Sequence, residues 1–270
     1  MLTVNRATSL PSFQSPKLVT HPDHLSLEEF VSCSPLKFTQ LFQTIMTTDG
    51  IRISAKGVKT LTHKKFDNPM TNYSNDQYLG AGRNGSVRGY WHKGELLAVK
   101  SGYHDGNPKR LMGYLNEAIN HFIAAKHMPT AVIGIKKVLV NNEKIFFVLE
   151  RGTDSLNHIA TSRFLSLHQI TKIAESFGRT LSQLHSIGIA HNDIKTDNIL
   201  AAELPNGEWA LKIIDFGASR QNSVFVDQEK NGVKKLLLEL LQHFQNATPS
   251  VRQPSSPDYD FYQRLMNSPV

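Results

Sequence analysis

The glycines at 80, 82 and 85, with Val87, spell G-x-G-x-x-G-x-V, a spacing that lets a turn approach phosphate oxygens closely. Taken alone the pattern also fits a plain glycine hairpin. A dinucleotide-binding turn would start a helix at its last glycine, and here the chain runs on as the β-type Ser86 to Tyr90, so that reading fails. Lys100 ends the apolar run Leu97-Ala98-Val99, and Glu117 falls on the inner face of the next helical segment, in step with Leu111, Leu115 and Ala118. A lysine held by a carboxylate is a fixed positive charge of the kind that clamps the α- and β-phosphates of a nucleotide. Separately, each is an ordinary strand-end lysine or solvated glutamate. Two denser clusters follow: His191-Asn192-Asp193-Ile194-Lys195-Thr196-Asp197-Asn198, and Ile213-Ile214-Asp215-Phe216-Gly217 just after the apolar Ala210 and Leu211.

These residues need elements to carry them. From Asn75 the chain reads as short β-type runs, with Val87 to Tyr90 and Leu96 to Lys100 joined at His92, Lys93 and Gly94. A helix is predicted over Pro108 to Lys126, then strands over Lys136 to Val140 and Ile145 to Leu149, joined at Asn141 and Asn142. Periodic apolar residues predict further helices, one over Leu167 to His185 and one from Val233 through Leu236, Leu237, Leu240 and Leu241 to Phe244. A small sheet with one helix therefore precedes a helical half. Before it, Ser34 and Pro35 look like the cap and first residue of a short helix bearing Leu36, Leu41, Phe42, Ile45 and Met46. The weakly alternating Ile51 to Thr71 is an extra strand or a linker.

The two clusters match, in order and spacing, the H-R-D-x-K-x-x-N and D-F-G motifs, and the chain resembles a eukaryotic-type Ser/Thr protein kinase from about Asn75 to Phe244. The resemblance implies an α+β, two-lobed kinase-like fold, with a small antiparallel-sheet N-lobe (about 75–150) and a truncated helical C-lobe (about 151–267). It implies ATP with Mg²⁺ or Mn²⁺ as cofactors. Asp193 would accept the substrate hydroxyl proton, Lys195 steady the γ-phosphate, and Asn198 and Asp215 hold the metal. Lys100 and Glu117 would position the nucleotide under Gly80, Ala81, Gly82, Gly85 and Val87. Ala98, the gatekeeper Leu149, and the hinge residues Glu150 and Arg151 would line the adenine pocket. The required types agree with the chemistry, since phosphoryl transfer depends mostly on placed cations and oxygen-liganded metal. Small-molecule kinases share an H-x-D and a later Asp, but Lys195 two residues after Asp193 favours a protein hydroxyl. A binding module of this fold without turnover is the other alternative.

The family pattern is not followed everywhere. Asp227, then Gly232, then an apolar helix resembles the aspartate that braces the catalytic loop and the large central helix, yet only 12 positions separate Asp215 from Asp227. That is too short for a full activation loop, and no A-P-E anchor occurs. Asn192 stands where regulated kinases carry an arginine that pairs with a loop phosphate, so the expectation is activity without loop phosphorylation. About 26 residues follow Phe244, room for one short helix around Tyr259 to Met266 instead of the usual late helices. Such brevity is similar to the minimal effector kinases that Gram-negative bacteria inject through type III secretion. These include the Hop-family minikinase directed at the ninety-kilodalton heat-shock chaperone and the Shigella-type kinase stimulated by ubiquitin-conjugating enzymes. The resemblance implies a host chaperone or signalling protein as substrate, a host ubiquitin-conjugating enzyme as activator, a secretion chaperone on the N-terminal segment, and a monomer in the host cytoplasm.

Bulk composition is compatible with this. Residues 1–25, rich in Ser, Thr and Pro, read as a disordered export or linker segment, and 26–74 as an extension preceding a kinase domain over 75–267. A single cysteine, Cys33, excludes an intramolecular disulfide and a Cys-based zinc site. The 12 histidines include no HExxH pair. The net charge of +7 is spread along the chain, which argues for solvated surface over a nucleic-acid partner. No run approaches the roughly 20 apolar residues that span a bilayer, and no Sec-type apolar core is present.

Overall fold

The computed structural model describes residues 26–31, 41, 44–45, 48, 50–61, 74–82, 85–163, 165–221, 226, 229 and 231–247. Seven antiparallel strands form its main sheet: β1 (Ile51–Ser54), β2 (Gly57–Thr60), β3 (Ser74–Gly82), β4 (Gly85–His92), β5 (Glu95–Tyr103), β6 (Ile135–Val140) and β7 (Lys144–Glu150), in the order β2-β1-β6-β7-β5-β4-β3. The first part of the stretch left open between strand and linker, residues 51–60, is thus a hairpin whose first strand adds to the sheet edge, with Ile51 opposite Val140 and Ile53 opposite Val138. Ile51 and Ile53 are fully buried and join Leu41 and Ile45, both helical, in one core. Of the helix predicted from Ser34 to Met46 only Leu41, Thr44 and Ile45 are among the described residues, and the one around Tyr259 lies outside them.

A short helix α1 (Leu27–Val31) precedes the sheet, and α2 (Pro108–His127) lies against it. Asn107 caps α2 by accepting from the backbone N–H of Lys109 and Arg110 at 3.0 and 3.1 Å, and Pro108 fits the first turn, where its absent N–H costs nothing. Its apolar stripe, Leu111, Leu115, Ala118, Ile119 and Phe122, buries against Val138, Ile145 and Phe147 of the sheet and against Ile51 and Ile53 of the added hairpin. Glu117 is carried on this clamped helix. Its azimuth toward the sheet is therefore fixed by packing along the stripe.

The second lobe is built from α3 (Leu156–Ser162), α4 (Leu167–Ser186) and α5 (Gly232–Ala247), with the strand pairs β8 (Ile189–Ala190) to β11 (Arg220–Gln221) and β9 (Ile199–Glu203) to β10 (Trp209–Ile213). Ser166 and Gln169 form a reciprocal capping box that starts α4. Ile170, Ile173, Phe177, Leu181 and Leu184 then face Leu236, Leu240, Leu241 and Phe244 of α5 in a single core. The lobes are joined behind the site by main-chain bonds from Ile213 N–H to Ala131 O (2.9 Å) and from Ile133 N–H to Ile213 O (3.2 Å). β10 thereby delivers Asp215 at the junction.

Candidate active site

Lys100 Nζ donates to Glu117 Oε1 at 2.6 Å and to Asp215 Oδ1 at 2.7 Å, so a strand, a helix and the segment after β10 converge on one ammonium. Burial alone would lower the Lys100 pKa, but the two carboxylates outweigh it and hold the ammonium charged above its ordinary range. Glu117 is 4% exposed at its side chain, whereas Asp215 is 39% exposed, so Asp215 is the partner that also faces open space. Asp215 sits in left-handed backbone (φ 62°, ψ 74°) and accepts weakly from Gly217 N–H at 3.3 Å. An Asp tolerates this conformation better than most residues.

Beside this triad lies a second one. Asp193 Oδ2 accepts from Lys195 Nζ at 2.7 Å and from Asn198 Nδ2 at 2.8 Å, and Asn198 Nδ2 also donates to the Asp193 carbonyl at 2.9 Å. Burial pushes the Asp193 carboxyl up, but the bonds from Lys195 and Asn198 more than offset it and hold it below the usual carboxylate range. Asp193 is therefore ionised at neutral pH and able to accept a proton. Ile214 N–H donates to Asn198 O at 3.0 Å, and the His191 ring meets Ile214 O at 2.9 Å, so the two triads are tied through the residue preceding Asp215. Phe216, fully buried, lies between the rings of His121 (centroids 5.0 Å, stacked) and His191 (5.2 Å, edge-on). Burial pushes His121 down to about 4 and lowers His191 as well, so both rings are neutral.

The glycine turn joins β3 to β4, with Gly80 opposite Val87, Ala81 opposite Ser86 and Gly82 opposite Gly85. A side chain at Gly85 (φ 134°) would meet Ser101 O at 1.7 Å, so this glycine is required by its own sheet. A Cβ at Gly80 or Gly82 would meet nothing within 4 Å, which leaves their side of the turn open. Ala98 pairs with Leu149 across β5 and β7. The Glu150 side chain turns elsewhere, accepting from Gly134 N–H at 3.1 Å and Lys212 at 3.4 Å, and its main-chain N–H donates to Gly134 O at 2.8 Å, while Arg151 is exposed.

One brace was not anticipated. The carboxylate bracing the loop after β8 is Glu229, which accepts from the main-chain N–H of His191 at 2.7 Å and of Asn192, and meets His185 Nε2 at 3.0 Å. Asp227 lies outside the described residues. A second brace was not anticipated either: Glu239 on α5 accepts from Thr196 N–H at 2.9 Å. The available signal was a second carboxylate, Glu229, three positions before Gly232, whose Cα lies so close to Leu181 and Ile194 that a Cβ would meet them at 3.0 and 3.3 Å.

Burial would raise the Glu229 pKa, but bonds from His185, His191 and Asn192 outweigh it and depress the folded value below the ordinary 4.5. A depressed carboxylate contributes stability above its unfolded pKa and loses it as pH falls through the folded one. Glu229→Gln should therefore cost about 2–4 kcal/mol at neutral pH. Denaturant titrations should show that gap narrowing below pH 4.5, and a gap independent of pH would contradict this role.

Mg²⁺ and a nucleotide triphosphate fit the donor set. Asp215 offers an open carboxylate, and both bonds of Asn198 Nδ2 run to Asp193, so its Oδ1 is the end turned away from that residue. Lys100 supplies a charge-paired ammonium, and the glycine turn is open at Gly80 and Gly82. A sheet lobe and a helical lobe meeting at paired Lys–Glu–Asp and Asp–Lys–Asn groups define the two-lobed phosphotransferase class. Within it the chain belongs to the protein kinase family: the protein kinase domain model matches residues 73–235.

Relatives agree. The human "Ribosomal protein S6 kinase alpha-1" is 32% identical over 92 residues, covering 33% of this chain and 12% of that protein. The Dictyostelium discoideum "Probable serine/threonine-protein kinase fhkC" is 33% identical over 159 residues, covering 56% of this chain and 26% of its own length. Its counterpart fhkB is 28% identical over 145 residues, 52% of this chain and 12% of that protein. The chain thus spans at most about a quarter of the length of these relatives. Among the described residues no helix is long and apolar enough to cross a membrane.

Proposed function

We propose that the protein is an ATP-dependent serine/threonine kinase that transfers the γ-phosphate to a protein hydroxyl. The observation that carries this is Lys100 bonded to both Glu117 and Asp215, next to Asp193 oriented by Lys195 and Asn198. In this reading Lys100, held by Glu117, fixes the α- and β-phosphates, and Gly80, Ala81, Gly82, Gly85 and Val87 cover them. Ala98, Leu149 and the main chain at Glu150 and Arg151 receive the adenine. Asn198 and Asp215 hold Mg²⁺, which when bound neutralises phosphate charge. Asp193 accepts the hydroxyl proton, and Lys195 steadies the transferred group.

The proposal extends to regulation and setting. Ten residues lie between Gln221 and Gly232, and Asn192 occupies the place of the phosphate-pairing arginine, which together support activity without loop phosphorylation. The same brevity supports the likeness to injected effector kinases. A host chaperone or signalling protein would be the substrate, a host ubiquitin-conjugating enzyme an activator, and the host cytoplasm the site of action.

Incubation with Mg²⁺ and γ-labelled ATP on a generic basic protein substrate, followed by phosphoamino-acid analysis, tests the reaction class. Phosphoserine and phosphothreonine are expected. Label confined to phosphotyrosine would overturn the residue specificity, and Mg²⁺-dependent ATP binding without any transfer would favour a binding module.

A further inference from the structure

Three residues past Glu117 and four past Asp215, two buried polar side chains meet. Asn120 (4% exposed) donates from Nδ2 to Ser219 Oγ (2% exposed residue) at 2.8 Å, and Ser219 Oγ donates to the carbonyl of Phe216 at 2.5 Å. At the other end Gln221 Nε2 donates to Asn120 Oδ1 at 2.8 Å. Every donor in this chain points the same way, from Gln221 through Asn120 and Ser219 to Phe216. Gln221 is exposed and the inner members are buried, so each member polarises the next most strongly at the Asn120–Ser219 step, away from water.

The chain joins the two elements whose relative placement the site requires. Asn120 is one helical turn from Glu117 on α2, while Ser219 and the Phe216 carbonyl belong to the turn that begins at Asp215. The same segment is fixed on its other side by β11, where Gln221 is paired with Ile189 and Arg220 with Ala190. Asn192, in the position of the absent arginine, adds a long bond from Nδ2 to Ala218 O at 3.4 Å. All of these partners are internal to the chain, and none requires a phosphate.

Resting on the kinase reading above, we propose that the Gln221–Asn120–Ser219–Phe216 chain is the device that holds Asp215 and Glu117 in register, replacing a phosphorylated activation loop. Asn120 and Ser219 are its positioning residues. Neither touches the reacting groups; they act through Asp215 and α2.

Ser219→Ala removes one hydroxyl with little change of volume, and Asn120→Ala removes the bridge. In the full chain both should lower kcat about tenfold or more, with KM for the protein substrate unchanged and Mg²⁺-dependent nucleotide affinity weakened. Ser219→Thr, which keeps the hydroxyl, should retain most turnover. The Asn120→Ala/Ser219→Ala pair should be no worse than the more damaging single change, since one chain is being broken twice. Amide hydrogen exchange over Phe216–Gln221 should accelerate in both single variants and not in Ser219→Thr. Wild-type kcat in Ser219→Ala and Asn120→Ala, additive losses in the pair, or unchanged exchange over Phe216–Gln221 would overturn the proposal. Exchange decides the matter even if the wild-type chain transfers no phosphate, an outcome that would count against the kinase reading instead.

Discussion

Asp215→Asn is expected to abolish phosphoryl transfer, by at least about 10³-fold, while leaving the fold intact. The carboxylate is the open member of the Lys100 triad, and it is the one anionic group there that is both ion-paired and exposed to a ligand. An amide of the same shape keeps an oxygen for Lys100 Nζ and for Gly217 N–H but loses the charge that a divalent cation needs. The left-handed backbone at this position is tolerated by Asn as readily as by Asp, so no conformational strain is added. The variant should melt within a few degrees of the wild-type protein. Loss of activity with loss of folding would assign Asp215 a structural role, and retained turnover would remove it from the chemistry.

Asp193→Ala should lower kcat by roughly two to four decades with nucleotide affinity nearly unchanged, the range expected for removing a positioned general base. Lys195 and Asn198 both point at this carboxylate, and their bonds keep it ionised. Asn198 keeps its second bond, to the main-chain carbonyl of residue 193, so the metal-side amide should stay in place when the side chain is removed. The effect should therefore fall on turnover alone. Single-turnover kinetics and equilibrium binding of Mg²⁺-ATP separate the two quantities. A large loss of affinity would mean that the residue orders the nucleotide, contrary to its assigned part.

The residues best legible in the sequence are those in contiguous motifs. Asp193, Lys195 and Asn198 share one short loop, and Asp215 follows the apolar Ala210 and Leu211 in a contiguous motif, so order and spacing place them. Lys100 and Glu117 are 17 residues apart, but the strand-then-helix pattern between them carried enough periodicity to bring them together. α2, α4 and α5 were legible because each buries one wide apolar stripe. The β1–β2 hairpin was not, since its four-residue strands are held by pairing with β6 and burial on α2, which local sequence does not encode. α3, only seven residues long, has too few turns for a period to emerge.

The braces were hidden for another reason. Glu229 is one of two carboxylates just before the same helix, and its part emerges only from its three-dimensional approach to His191. Asn120 and His121 read as polar interruptions of a helix stripe. Their partners, Ser219 and the Phe216 ring, lie almost a hundred residues away and supply the reason for both.

Transfer of radioactive γ-phosphate from ATP tests the central claim most directly. Purified protein with Mg²⁺ would be incubated in a eukaryotic cell lysate and in buffer alone, beside the Asp215→Asn variant. The account predicts labelled protein bands that disappear with the variant. Equal labelling by the variant, or no labelling in either setting by a wild-type protein that binds Mg²⁺-ATP, would contradict it.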